Sequence, residues 1–353
     1  MNCQAMPLIL TLALLLFAIP ADAATPQTPY GVEKSASAAT LKTPDGKPIL
    51  RYVLGKLPDG ERQTSVPCAG YLHPIYTPGG LVLTESGPAD HAWLRGLFVA
   101  WPQVAGAKPA GFWTCGQKVW KEKGEIVNRQ CAAEGRADSG RLSVQNAWTD
   151  GQTEIVREHT ELAAFAEGGV YVIDLKIALE PTAGEVRLQP WAFAGLTFHG
   201  RRGPGESVAV FGPEGEVKLA NCAWNNAKTN WPDAPWYAVA MAARGGTACG
   251  LAIVNHKDNP KTTWHVTRGI RFLNPNITAD KPYTLQEGKP LVLRYRLVAY
   301  DGPTPTEVIN RLAERFSKRD QSDPAGRQPV IGEPAQRHEN VNGQLTSERA
   351  GFP

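Results

Sequence analysis

The chain has 353 residues, with 37 Lys and Arg against 34 Asp and Glu and a formal charge of +3. That length can bury a sizeable core of its own. Basic and acidic residues are interleaved, which excludes a nucleic-acid footprint.

In chain order, the apolar run 8–19 followed by Pro20 and Ala21-Asp22-Ala23 reads as a signal peptide over residues 1–23. It implies export to the periplasm or the exterior. The run is shorter than the ~20 residues that span a bilayer, and no later run is longer, so no membrane span is expected in the mature chain. Residues 24–40, rich in Pro, Ala and Ser, read as a linker, and 41–318 as a single β-sandwich domain. Five cysteines follow the signal: Cys68, Cys115, Cys131, Cys222 and Cys249. In an oxidising compartment they predict one or two disulfides of open pairing and at least one thiol.

Strand signals dominate the domain. Tyr171, Ile173, Leu175, Ile177 and Leu179 alternate with Asp174 and Lys176, a period of two that marks a half-buried strand. Residues 291–297 repeat the pattern, with Arg294 and Arg296 outward. Asp150-Gly151 predicts a hairpin between 142–148 and 152–163. Further runs at 81–84, 96–101, 186–197, 238–243, 250–255 and 270–273 are separated by Gly, Pro and Asn, as in a sandwich of antiparallel sheets. One helix is expected near the C-terminal end. Thr304-Pro305-Thr306-Glu307 reads as a capping box with Pro at the first helical position, followed by Val308, Ile309, Leu312, Ala313 and Phe316 on one face. Residues 319–353 hold few apolar anchors and read as a disordered tail.

Segment 68–113 gathers most of the chemistry: His73, Asp90, His91, Arg95 and Trp113 lie in irregular sequence around short strands. Imidazole exchanges protons near neutral pH, so His91 is a candidate catalytic acid or base. The fork of Arg95 can hold a hydroxyl pair and Trp113 can stack on a ring, with His73 and Asp90 as further substrate contacts. The plainer alternative has His91 and Arg95 bonding local carbonyls and the indoles in the core.

Residues 154–161 carry charges on both faces of a strand, which makes Glu158 and His159 candidate catalytic groups; an edge strand with solvated charges explains the pattern as well. The Gly-rich loop at 198–205 offers His199 and Arg201 to a substrate rim. The turn at 255–260, near Trp264-His265, delivers His256 beside a strand, a placement that turn chemistry alone also explains. No HxH or HExxH spacing is present, and no metal or cofactor is expected.

His73-Pro74-Ile75-Tyr76-Thr77-Pro78-Gly79, Asp90 to Phe98, Asn146-Ala147-Trp148, Leu293 to Leu297 and Asp301-Gly302 together resemble the PmoA-like family of exported bacterial proteins of unknown function. The family has paired histidines where this chain has Trp93-Leu94. The resemblance implies a large sandwich similar to the mutarotase-like supersandwich, a scaffold often used on carbohydrates. Methane oxidation, as the family's name suggests, would need apolar spans that the mature sequence lacks.

Three functions are compatible with these residues. One is an enzyme that hydrolyses, eliminates or epimerises a sugar bond; another is a non-catalytic glycan-binding or scaffold protein; the third is a metal-dependent oxidoreductase. The first two take a small-molecule or oligosaccharide partner.

Overall fold

The structure, a computed structural model, describes residues 28–56, 68–106, 109–114, 124–182, 184–203, 206–242 and 246–318. The expected signal peptide (1–23) and tail (319–353) lie outside the described residues, as does Cys115.

The first strands are β1 (Gly31–Lys34), β2 (Ala38–Lys42), β3 (Pro48–Val53), β4 (Tyr71–Ile75), β5 (Leu97–Ala100) and β6 (Val104–Ala105). Four long strands follow: β7 (Glu125–Gly135), β8 (Gly140–Thr149), β9 (Glu154–Glu167) and β10 (Val170–Pro181). Then come β11 (Val186–Leu188), β12 (Gly195–His199), β13 (Ser207–Gly212), β14 (Gly215–Glu216), β15 (Trp236–Ala242) and β16 (Ala248–Asn255). The last elements are β17 (Thr263–Thr267), β18 (Phe272–Asn276), β19 (Tyr283–Leu285), β20 (Leu291–Asp301) and helix α1 (Thr306–Lys318).

They form an eight-stranded sheet, β1-β2-β3-β4-β5-β12-β18-β17, and a nine-stranded sheet, β14-β13-β15-β16-β20-β10-β9-β8-β7. A small sheet, β19-β11-β6, completes the set. The strands pair antiparallel, and the protein is mostly β with large antiparallel sheets and a helix near the C-terminal end, as the alternation predicts.

Alternation decides which face is buried. On β10 the odd residues from Tyr171 to Leu179 are buried and Lys176 is exposed. Opposite them sit Leu162 and Thr160 of β9 and Tyr295 and Leu293 of β20, which therefore share the inner face. That face meets the eight-stranded sheet in one continuous core. Trp264 of β17 meets Tyr237 of β15 edge-on at 5.1 Å, and Leu41 of β2 packs against Gly140 of β8. Each Leu, Ile or Val buried there contributes about 1.5–3 kcal/mol of transfer free energy.

The outer face of the nine-stranded sheet is closed by α1. Ile309, Leu312, Ala313 and Phe316 lie on Val172, Trp236, Val254, Val298 and Tyr300. Arg296 points outward on β20 but is buried beneath the helix. It donates to both carboxylate oxygens of Asp174 at 2.6 and 2.8 Å and to the Leu312 carbonyl at 3.0 Å. Its guanidinium lies 4.8 Å from the Phe316 ring centre. A buried cation is tolerable only when its donors are used in this way.

Four local expectations change. Residues 31–34 and 38–40, read as linker, belong to β1 and β2; β1 pairs with β2, whose Ala39 and Leu41 are fully buried anchors. Residues 81–84 make only isolated bridges, Tyr76 with Val82 and Thr84 with Gly200. The run 186–197 is split into β11 and β12, with Pro190, which has no N–H to give a ladder, between them. Pro305 takes the cap position, accepting from the Ile309 N–H, while the Thr304 hydroxyl pairs with Tyr300.

Candidate functional site

Register places the chemistry of the eight-stranded sheet. Phe98 of β5 opposes Thr197 of β12, His199 opposes Phe272 of β18, and Asn274 opposes His265 of β17. Opposed residues share a face and alternate residues return to it. Phe98, Thr197, His199, Phe272, Asn274 and His265 are thus on one side. Leu97, Phe198, Leu273, Val266 and Trp264 are on the other, which Trp264 identifies as the inner side.

Aromatic rings cover the outer side. Trp113 lies 5.1 Å from Phe98 and 4.7 Å from Phe193, measured between ring centres. Phe193 continues to Trp224 at 5.2 Å, and Trp224 meets His265 at 4.7 Å and Phe272 at 5.2 Å. Trp224 is 40% exposed, so the ring cluster reaches solvent there.

The two imidazoles on this face are fully buried, and their hydrogen bonds fix their tautomers. His199 Nδ1 lies 3.2 Å from the Glu85 carbonyl, which can only accept, so Nδ1 carries the proton. His265 Nδ1 lies 3.1 Å from Asn230 Oδ1. The Asn230 amide nitrogen donates to the Ala192 carbonyl at 2.8 Å, which identifies Oδ1 as the acceptor. In each ring Nε2 is buried and left with a lone pair and no hydrogen-bond partner among the described residues. Burial pushes both rings down to a pKa of about 4, so both are neutral at neutral pH.

A charged rim borders His199. Arg202 donates to Glu85 at 2.8 Å and to both oxygens of Asp90 at 2.7 Å. Those bonds hold the Asp90 carboxyl well below the usual carboxylate range. His91 Nδ1 is 3.2 Å from Asp90, and its ring meets Trp93 edge-on at 5.4 Å. Next along the chain Arg201 pairs with Glu206 at 2.9 Å and donates to Cys249 Sγ at 3.7 Å; Arg271 lies 3.6 Å from the same carboxylate.

The sequence-predicted residues divide accordingly. His73 bonds Thr84, which bridges Gly200, so His73, Asp90, His91, His199 and Arg201 gather at one end of the eight-stranded sheet. Trp113 joins the ring cluster, although it is itself buried. Arg95 is fully buried: it donates to the Trp113 carbonyl at 2.8 Å and to those of Phe112 and Trp93 at 3.3 Å, with Phe98 4.1 Å away. Burial pushes its pKa down to about 9, which leaves it charged at neutral pH. Those bonds brace the 112–113 loop.

Glu158 lies on the inner face of the other sheet. It accepts from Trp148 at 2.8 Å, Thr160 at 2.8 Å and Asn146 at 3.0 Å. Burial raises its pKa, and both oxygens are occupied by core donors. Of the trio His91, Arg95 and Glu158, Arg95 and Glu158 are both buried and attract each other through the core, whereas His91 is at the exposed rim. His159 is half-buried on the outer face of β9, paired with Ser143 at 3.1 Å, away from the others. His256 is buried under α1. Its Nε2 donates to the Phe316 carbonyl at 3.1 Å and its Nδ1 accepts from the Asp258 N–H at 3.2 Å, so the helix end uses it completely.

Glu85, Phe193, Arg202, Trp224 and His265 enter the site without having been selected from the sequence. Only Trp224 carried a local signal, an indole in the polar stretch Asn221-Cys222-Ala223-Trp224-Asn225-Asn226 that has no strand periodicity. Among the described residues no group of three His, Cys, Asp or Glu could hold a metal ion, and no helix is long and apolar enough to cross a membrane.

No curated protein matches the chain significantly. Among solved structures it is similar to the galactosidase domain of alpha-galactosidase-sucrose kinase, AgaSK, with 10% identity, TM-score 0.31 and 77% of this chain covered. The match spans only 40% of that chain. The Slr1438 protein of Synechocystis sp. PCC 6803 is 12% identical, with TM-score 0.30 and coverage of 81% of this chain and 99% of that one. Likeness this distant carries no argument about function. The methane-oxygenase name suggested by the motifs finds no support in the family match. Residues 40–314 match the model of a family of unknown function (DUF6807), and the chain belongs to that family.

Proposed function

We propose that the chain is an exported carbohydrate-active protein whose ligand sits on the outer face of the eight-stranded sheet, between the Trp224 wall and the His199 end. One observation carries this reading: an aromatic-lined face holds two buried neutral imidazoles, each with an unpartnered Nε2. Flat rings suit the apolar faces of a sugar, and neutral nitrogen acceptors suit its hydroxyls. In an acid/base reaction His199 would take a proton at Nε2 while its Nδ1–H holds the Glu85 carbonyl. His91, at the exposed rim beside Asp90, would return one. Cys68 is disulfide-bonded, which fits an oxidising compartment outside the cytoplasm.

A non-catalytic binding protein is the second reading. Its support is that Glu158 and Arg95 are withdrawn into structural roles, which leaves imidazoles alone to do chemistry. Calorimetry against a panel of mono- and oligosaccharides, followed by NMR of the sugar for products, tests both. Turnover abolished by His199→Phe with folding intact supports the enzyme. Binding without turnover supports the second reading, and no binding to any sugar sinks both.

A further inference from the structure

We infer that this site selects an uncharged, hydroxyl-rich ligand over acidic sugars, reading donor hydroxyls at two separated points through His199 and His265. The inference rests on the carbohydrate reading above and deepens it.

The chemistry follows from where each proton is held. Both Nδ1–H groups are committed to protein oxygens, Glu85 O and Asn230 Oδ1, so Nε2 can only accept. A hydroxyl has a proton to give to such a nitrogen, whereas a carboxylate has none and meets a lone pair with its own charge.

The cations near His199 are held within the protein, although among the described residues they outnumber their carboxylates: Arg201 and Arg271 have one between them and Arg95 has none. Glu85, Arg202 and His91 face His199, and Arg202 is committed to Glu85 and Asp90. Arg201 and Arg271 share Glu206. Arg95 lies beside Phe98 and points its donors at backbone carbonyls. Around His265 stand Asn230, the Ala192 carbonyl and the rings of Phe193, Trp224 and Phe272, none of them charged. Among the described residues none of these arginines stands beside His265, so an acidic group there meets only acceptors and rings.

Spacing sets the second condition. His199 is on β12 and His265 on β17, two strands apart and two residues offset, with Phe272 between them. At ~4.8 Å per strand and ~3.4 Å per residue, their Cα atoms are on the order of 12 Å apart. A single hydroxyl cannot reach both nitrogens, so the ligand must offer donors at two ends with a ring face between them for Phe272 and Trp224.

The test has a ligand-free arm and a binding arm. Nitrogen-15 NMR of the imidazoles at pH 7.5 should show both rings neutral and protonated on Nδ1; a ring protonated on Nε2, or charged, overturns the inference whatever the sugar does. In the binding arm, cellobiose, maltose and lactose are compared calorimetrically with digalacturonate. At least one neutral sugar should bind tenfold or more tightly than the uronate. His265→Phe should weaken that sugar at least tenfold, and His265→Gln, which restores an acceptor near the Nε2 position, should recover much of it. Uronate binding equal to or tighter than the neutral sugars overturns the selectivity and leaves the carbohydrate reading standing. Absence of binding by either class removes both.

Discussion

The outer faces of the two large sheets carry similar groups and treat them oppositely. On the nine-stranded sheet, His256 and Arg296 are buried beneath α1, and the helix supplies acceptors: Phe316 O to His256 Nε2 and Leu312 O to Arg296. On the eight-stranded sheet, His199 and His265 are equally buried, but each has one nitrogen served and one left over. Burial of an imidazole therefore says little by itself. Whether the protein completes its hydrogen bonds separates a structural histidine from one poised for a ligand.

Acid gives the largest expected effect, to which His256 on the other face adds in the same direction, since burial lowers its pKa too. Unfolded imidazoles take up protons near pH 6.5, whereas His199 and His265 in the folded chain do so only near 4. The unfolded state thus binds more protons between these values. Stability should be full above about pH 6.5 and fall as pH drops toward 4, by on the order of 3 kcal/mol per ring. Denaturant titrations across this range check the slope, which should flatten in His199→Phe; an unchanged slope would contradict the assignment.

Next in size is the lock under α1. Arg296→Met leaves Asp174 without its bidentate partner and should cost about 3 kcal/mol by chemical denaturation. Sugar binding by the folded fraction should be unchanged, because the lock serves the other sheet. A smaller effect of the same kind is expected from His256→Phe, about 2 kcal/mol, since the Phe316 carbonyl loses its donor. Equal loss of sugar affinity in His256→Phe and His265→Phe would erase the distinction between the faces. The smallest stability change belongs to Trp224→Ala, under about 1 kcal/mol for a side chain already open to solvent. Its affinity loss, read by calorimetry, should nevertheless be about tenfold.

Much of the scaffold was legible in the sequence, because alternation and helical spacing are local. The strand at 171–179, the Asp150-Gly151 hairpin and the apolar face of Ile309, Leu312, Ala313 and Phe316 each follow from residues a few positions apart. The site was legible only in part. His73, Asp90, His91, His199 and Arg201 do gather, but the partner of Asp90 is Arg202, 112 residues away. No spacing rule anticipates that pair. Glu158 misled for a related reason: a carboxylate on a strand looks solvated until Trp148 and Asn146, on the neighbouring strand, close over it. His265 and Trp224 converge only because β17 and β18 are added at the far edge of the sheet.

The place of β20 also bears on synthesis. It lies between β16 and β10, so the nine-stranded sheet without it is two four-stranded halves, β14-β13-β15-β16 and β10-β9-β8-β7. A ribosome delivers this central piece after every other described strand. A message ending before residue 291 is therefore expected to yield no smaller stable domain. It should leave two four-stranded ribbons with newly bared edges open to edge-to-edge pairing, and proteolysis of nascent or truncated chains should be nearly all-or-none at that boundary.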